Sequence, residues 1–130
     1  MFLTRRSVLV TFLGLLLGSC SDDPLAPFEP EVNNATDSFQ LQATGLQNVN
    51  TTLTYTWRNT GTLANVNHSS TTTAGEARLV IRTTSGALVY DKQLQPSLNE
   101  PTTVGASGDW RIELILSNYT GTLNFRVQKP

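Results

Sequence analysis

The sequence predicts an all-β fold, an antiparallel β-sandwich of immunoglobulin-like or jelly-roll type with seven to eight strands. Three observations predict it. Apolar residues recur in steps of two along most of the chain, threonine is in excess at 19 of 130 residues, and no window of a dozen residues carries a helical period. At 38% hydrophobic and 15% charged, the chain fits one domain, given about 150 residues per domain. Ten acids against nine bases leave a net charge of −1, no electrostatic footprint for a nucleic-acid partner. One cysteine excludes an internal disulfide, and one histidine beside it excludes the usual zinc clusters.

Residues 1–19 do not share this pattern. Arg5 and Arg6 precede an apolar run over residues 8–17, the positive and hydrophobic regions of a secretion signal. A membrane-spanning helix needs about 20 apolar residues, so the run is too short to cross a bilayer. Polar residues and prolines follow at once, which argues against a buried core helix. The run ends in Leu17-Gly18-Ser19-Cys20. This resembles the lipobox of bacterial lipoproteins, in which a leucine and two small residues precede an invariant cysteine. The resemblance covers the first 20 residues and accounts for the only cysteine. It implies cleavage before Cys20, a diacylglycerol on its sulfur and an acyl chain on its amine. Each buried CH₂ contributes about 0.8 kcal/mol, so two or more chains anchor stably. The alternative, ordinary cleavage, leaves Cys20 a free thiol, a liability in an oxidising compartment.

Two further resemblances flank this motif. Thr4-Arg5-Arg6-Ser7-Val8-Leu9 is similar to a twin-arginine export motif, though paired arginines also occur in ordinary signals. Ser21-Asp22-Asp23 is similar to the tract that marks surface-exported lipoproteins of the Bacteroidota, and equally suits the start of a solvated tether. Ser21 is not the aspartate that retains enterobacterial lipoproteins in the inner membrane. The expectation is a lipid-anchored protein of the bacterial envelope at the outer membrane, with the cell surface as the alternative.

Residues 20–37 are expected to hold the lipidated cysteine and a tether. Asp22, Asp23, Glu29, Glu31 and Asp37 supply five acids with no base, and Pro24, Pro27 and Pro30 suit a polyproline II spacer. The domain is then residues 38–130, with seven bases and five acids, a charge of +2.

Within it, Phe39-x-Leu41-x-Ala43, Leu53-x-Tyr55-x-Trp57, Ala77-x-Leu79-x-Ile81, Trp110-x-Ile112-x-Leu114-x-Leu116 and Leu123-x-Phe125-x-Val127 each read as half-buried strands. Directly opposed residues share a face, which predicts the hairpins. A turn over Asn59-Thr60-Gly61-Thr62 would pair Trp57 with Ala64, Tyr55 with Val66 and Leu53 with His68. A turn at Ser85-Gly86 would set Ile81 opposite Tyr90 and Ala77 opposite Leu94. A turn over Asn118-Tyr119-Thr120-Gly121 would pair Leu116 with Leu123, Leu114 with Phe125 and Ile112 with Val127, with Glu113 facing Arg126 outside. A short strand is expected around residues 102–104. Strands with one apolar face each then require two packed sheets. The closing segment, Gly108-Asp109-Trp110-Arg111-Ile112 through Gly121-Thr122-Leu123-Asn124-Phe125, resembles the last hairpin of extracellular sandwich modules such as the jelly-roll P domain of secreted proteases. That implies a fold and no activity.

Chemistry-bearing residues are sparse. His68 stands at a strand end, and catalysis would require a nucleophile and an orienting acid beside it. Glu76, Asp91, Glu100, Asp109 and Glu113 fall at strand ends, turns or the outer face, with no spacing that argues for a glycosidase pair. Four Asn-x-Ser/Thr sequons, at Asn34, Asn50, Asn67 and Asn118, carry little meaning in a bacterial lipoprotein. Trp57, Trp110, Tyr55 and Tyr90 lie on the inward register. Tyr119 is placed at a hairpin tip, with Leu63 and Arg58 outward, and Val80, Val89 and Ile115 also face out. The expected function is a lipoprotein displaying a non-catalytic binding or structural module, with a protein or glycan partner and no cofactor or metal. The alternatives are a carbohydrate-binding module, which requires an exposed aromatic platform, and a small hydrolase, which requires His68 in a cleft.

Overall fold

The computed structural model describes residues 30–95 and 97–130. The lipobox residues Leu17, Gly18 and Ser19, and Cys20 itself, lie outside the described residues. The described chain is all β: β1 (Glu31–Ala35), β2 (Ser38–Asn59), β3 (Asn65–His68), β4 (Thr71–Arg82), β5 (Leu88–Gln93), β6 (Leu98–Pro101) and β7 (Gly108–Gln128). Every pairing is antiparallel. The order is β1-β2-β7-β3-β6, with β4 also on β7 and β5 on β4. β1 falls within the stretch expected to be tether, so the sheet starts seven residues before position 38.

β2 and β7 run 22 and 21 residues, against a usual strand of about 5–6. They pair from Ser38↔Gln128 to Asn59↔Gly108. Phe39 and Tyr55 lie on the same strand, and sixteen extended residues would separate them by about 53 Å. Their ring centroids are instead 5.2 Å apart. The β2–β7 ribbon is therefore folded double. One layer holds β1, the first half of β2, the second half of β7, β3 and β6. The other holds the rest of β2 and β7 with β4 and β5. The sandwich is one hydrogen-bonded sheet bent over itself, where the alternation predicts two separate sheets.

Matched irregularities make the bend. The β2–β7 register slips at Ala43/Leu46, Leu46/Val49 and Val49/Thr51, and the β4–β7 register slips at Thr72/Ala74 and Ala74/Glu76. Extra residues of this kind coil a strand sharply while returning its apolar face to the core. Asn48 and Asn118 supply left-handed backbone at φ 48° and 46°. Two glycines allow the close approach of β4: a Cβ on Gly121 would lie 2.2 Å from the Thr71 carbonyl oxygen, and one on Gly75 2.1 Å from that of Asn118.

This bend overturns the predicted closing hairpin. Residues 118–121 are not a turn but the fold line of one strand, so Leu114 faces Leu53 and Leu79, and Phe125 faces Leu41 and His68. Glu113 pairs with Arg111, at 2.9 Å, and not with Arg126. The first hairpin is corrected too: Trp57 opposes Trp110, and β3 pairs with β7 and β6. Both edges of β2 are occupied there, one by β7 and the other by the β1–β2 turn, where Asp37 N–H donates to the Arg58 carbonyl at 2.9 Å. The buried Asn59 side chain then shapes the departing loop, accepting from Gly61 N–H and donating to the Leu63 carbonyl. The expected strand at 102–104 is replaced by β6, four residues earlier. The β4–β5 hairpin keeps the predicted Ile81↔Tyr90 pair and a Leu94 N–H bond to the Ala77 carbonyl, but its register slips between Ile81 and Arg82 and its turn closes through a Gly86 N–H bond to the Thr83 carbonyl.

The core runs continuously through both layers, from Phe39, Leu41 and Phe125 to Ile81, Ile112 and Trp110. Trp57 and Trp110 pack edge to face with centroids 6.0 Å apart. Each buried indole N–H is satisfied, by the Ala35 and Ala106 carbonyls respectively. Trp57 thereby ties the end of β2 to the end of β1.

Candidate functional site

The chemistry-bearing side chains gather at the seam where the free edges of β5 and β6 meet. Register places Glu100 of β6 opposite Val66, hence toward the interior. Tyr90 of β5 donates to its Oε1 at 2.9 Å, and Lys92 Nζ lies 2.8 Å from the same carboxylate. The Lys92 bond, then that of Tyr90, holds the Glu100 carboxyl below its ordinary range. Burial, then Glu100 itself, pushes the Tyr90 phenol well up. Thr103 N–H donates to the Val89 carbonyl, which closes the seam by backbone. A shallow groove lined by Leu88, Tyr90, Lys92, Glu100 and Thr103 marks its outer surface.

His68 sits behind this seam at the end of β3, 1% exposed, and neither ring nitrogen has a hydrogen-bond partner. Burial lowers its pKa, opposed by the Glu100 charge and aided by that of Lys92. The ring thus forms no hydrogen bond to a nucleophile or an orienting acid among the described residues.

The remaining expectations resolve by burial. Trp57 and Trp110 are fully buried, Tyr90 is buried and Tyr55 half-buried against the core. Tyr119 is a correction: it is fully buried at the bend, its hydroxyl bonded to Thr72 and facing the Thr71 and Thr122 carbonyls. The described aromatic rings thus leave the glycan alternative without an exposed platform. Val80 and Val89 are likewise buried, Val89 because a register slip after Ile81 turns it into the core. Asp91 and Asp109 are held by Arg78 and Arg58.

A feature that no sequence motif marks lies on the outer face of the β1-β2-β7-β3-β6 layer. Asn33, Gln40, Arg126, Asn67 and Asn99 are directly opposed across the five strands, with Glu31, Gln42 and Asn124 forming the next row. Of the seven described cations, five make ion pairs and Arg82 bonds the Gly86 carbonyl. Arg126 alone among them has no partner. The signal was in the sequence, since Gln40, Gln42, Asn65, Asn67, Asn124 and Arg126 all occupy outward positions of their alternation. No protein-family model matches the chain, and no curated protein aligns with it.

Proposed function

We propose that the protein is a lipid-anchored envelope lipoprotein whose sandwich is a non-catalytic binding module. The observation that carries this reading is the contrast between the interior and one outer face. The sole imidazole is sealed in the core without a partner, and Glu100 is committed to Tyr90 and Lys92. The five-stranded outer face, in contrast, presents to solvent the carboxamides of Asn33, Gln40, Gln42 and Asn67 and the Arg126 guanidinium, all without a side-chain partner among the described residues. Polar side chains held on strands make a preorganised recognition surface.

The anchor rests on the Leu17-Gly18-Ser19-Cys20 motif. Ten residues, 21–30, separate Cys20 from β1, which limits the reach of the domain from the bilayer to about 35 Å when fully extended. The test is mass spectrometry of the amino-terminal peptide from membranes. Acylated Cys20 is expected, with Cys20→Ala moving the protein out of the membrane fraction. An unmodified Cys20 in the mature chain overturns the reading.

A further inference from the structure

We infer that the Arg126 depression on the outer face is a binding site for an acidic saccharide, in which one uronate unit neighbours neutral sugars, held by charge and hydrogen bonds in place of the aromatic stacking that a carbohydrate-binding platform uses. The inference rests on the reading of the sandwich as a binding module and gives that module a ligand class.

A depression of about 200 Å³ is lined by Asn67, Ser69, Asn124 and Arg126. The only hydrogen bond among the lining side chains is Asn124 Nδ2 to Ser69 Oγ at 3.2 Å. The Arg126 guanidinium, the Asn67 carboxamide and the neighbouring Gln40 and Gln42 therefore offer their full donor and acceptor capacity outward. A carboxamide both gives and accepts, as a sugar hydroxyl does, so a row of them matches a ring bearing vicinal hydroxyls. An unpaired guanidinium adds five donors in a planar fork that suits a carboxylate.

Charge selects among occupants. One free cation is far from the several phosphate contacts that nucleic-acid binding demands. The lining carries no apolar or aromatic anchor of the kind that dominates protein interfaces. Gln40 lies beside Arg126 across β2–β7, and Gln42 beside Asn124, so neutral groups continue the surface toward β1. There a second depression is lined by Glu31, Val32, Asn33, Gln40 and Gln42. Glu31 has no ion-pair partner among the described residues, and its carboxylate disfavours a second anion at that end. A single acid unit at Arg126 followed by a neutral sugar over Gln40 and Gln42 pairs the guanidinium and brings no anion beside Glu31.

The experiment is calorimetric titration of the full chain in detergent with three probes: a disaccharide of glucuronic acid and a neutral sugar, its methyl ester, and the matching neutral disaccharide. The free acid is expected to bind at least about tenfold more tightly than the ester or the neutral sugar, as one charge-assisted contact provides. Arg126→Gln is expected to erase that preference, and Asn67→Ala to weaken all three probes. Arg126 is exposed, so its replacement leaves the core intact. Equal affinity for acid and ester, a preference that survives Arg126→Gln, or no binding of any probe at about 10 mM overturns the inference. Acylation of Cys20 is measured separately, so loss of the saccharide site and loss of the lipoprotein reading are distinguishable.

Discussion

Phe39 and Tyr55 stand at opposite ends of one strand, yet their rings meet at 5.2 Å with their planes inclined by 52°. The contact exists only because β2 doubles back, so it reports on the bend directly. A double-mutant cycle with Phe39→Leu and Tyr55→Leu, read by urea denaturation, is expected to give a coupling of about 0.5–1.5 kcal/mol. Zero coupling would mean that the two halves of β2 do not face each other. Phe39→Ala, a cavity at a fully buried site, is expected to cost about 3–5 kcal/mol.

The glycines of the bend are not equivalent. Gly45 has φ +67° and nothing within 4 Å of an added Cβ, so Gly45→Ala carries only the left-handed backbone penalty of about 1–2 kcal/mol. Gly75→Ala drives a methyl into the Asn118 carbonyl as well, and is expected to cost clearly more, on the order of 3 kcal/mol. Thermal unfolding of the two variants side by side checks the order.

His68 makes stability depend on pH. Its folded pKa lies below the unfolded value of 6.5, because burial disfavours the imidazolium. Below that pH the unfolded chain binds a proton that the folded chain refuses, so stability falls as pH drops from about 7 toward 5.5. The slope approaches 1.4 kcal/mol per pH unit at most, the value for one proton. Glu100 and Lys92 are the charged groups acting on the ring, and they oppose each other. Denaturation curves at pH 7.5, 6.5 and 5.5 should show the loss for the native chain and little of it for His68→Leu. A His68→Leu variant with the native pH profile would place the proton elsewhere.

Two buried phenols, one at the seam and one at the bend, share a signature. Tyr90 and Tyr119 both have raised pKa values, each chiefly through burial. Absorbance titration into alkali is expected to show tyrosine ionisation delayed beyond the ordinary value of about 10, with part of the delayed signal absent from Tyr90→Phe. Tyr90→Phe also removes a hydrogen bond to a carboxylate, at a cost of about 1.5–3 kcal/mol.

The fold class is legible because alternation survives within each half of β2 and β7 and from Ala77 to Ile81 of β4. The β4–β5 hairpin is legible because Ser85-Gly86 stands at the only phase-compatible turn between Ile81 and Tyr90, and Gly86 indeed takes φ +88°. The bend is not legible, for a specific reason. Between Leu116 and Tyr119 the inward positions pass from even to odd numbers, and a four-residue turn produces the same phase change as a bulge. Face matching sees parity and is blind to direction. The slips at Leu46 and Val49 on β2 are the partner signal, but strands of that length lie far outside ordinary expectation. The outer-face residues are likewise visible one strand at a time. Bringing Gln40, Arg126 and Asn67 together requires the β2-β7-β3 order, which only the refolded pairing supplies.

β2 and β7 each thread both layers, so neither layer owns a backbone on which to open independently. Loosening the pairs at Phe39 pulls on the strand that also carries Trp57, and Val127 is joined in the same way to Trp110. Unfolding is expected to be all or none, without a half-open form that retains one layer. Such cooperativity has a protective side. The strand edges that the fold covers are then expected to stay covered until the whole domain unfolds, out of reach of pairing between neighbouring copies.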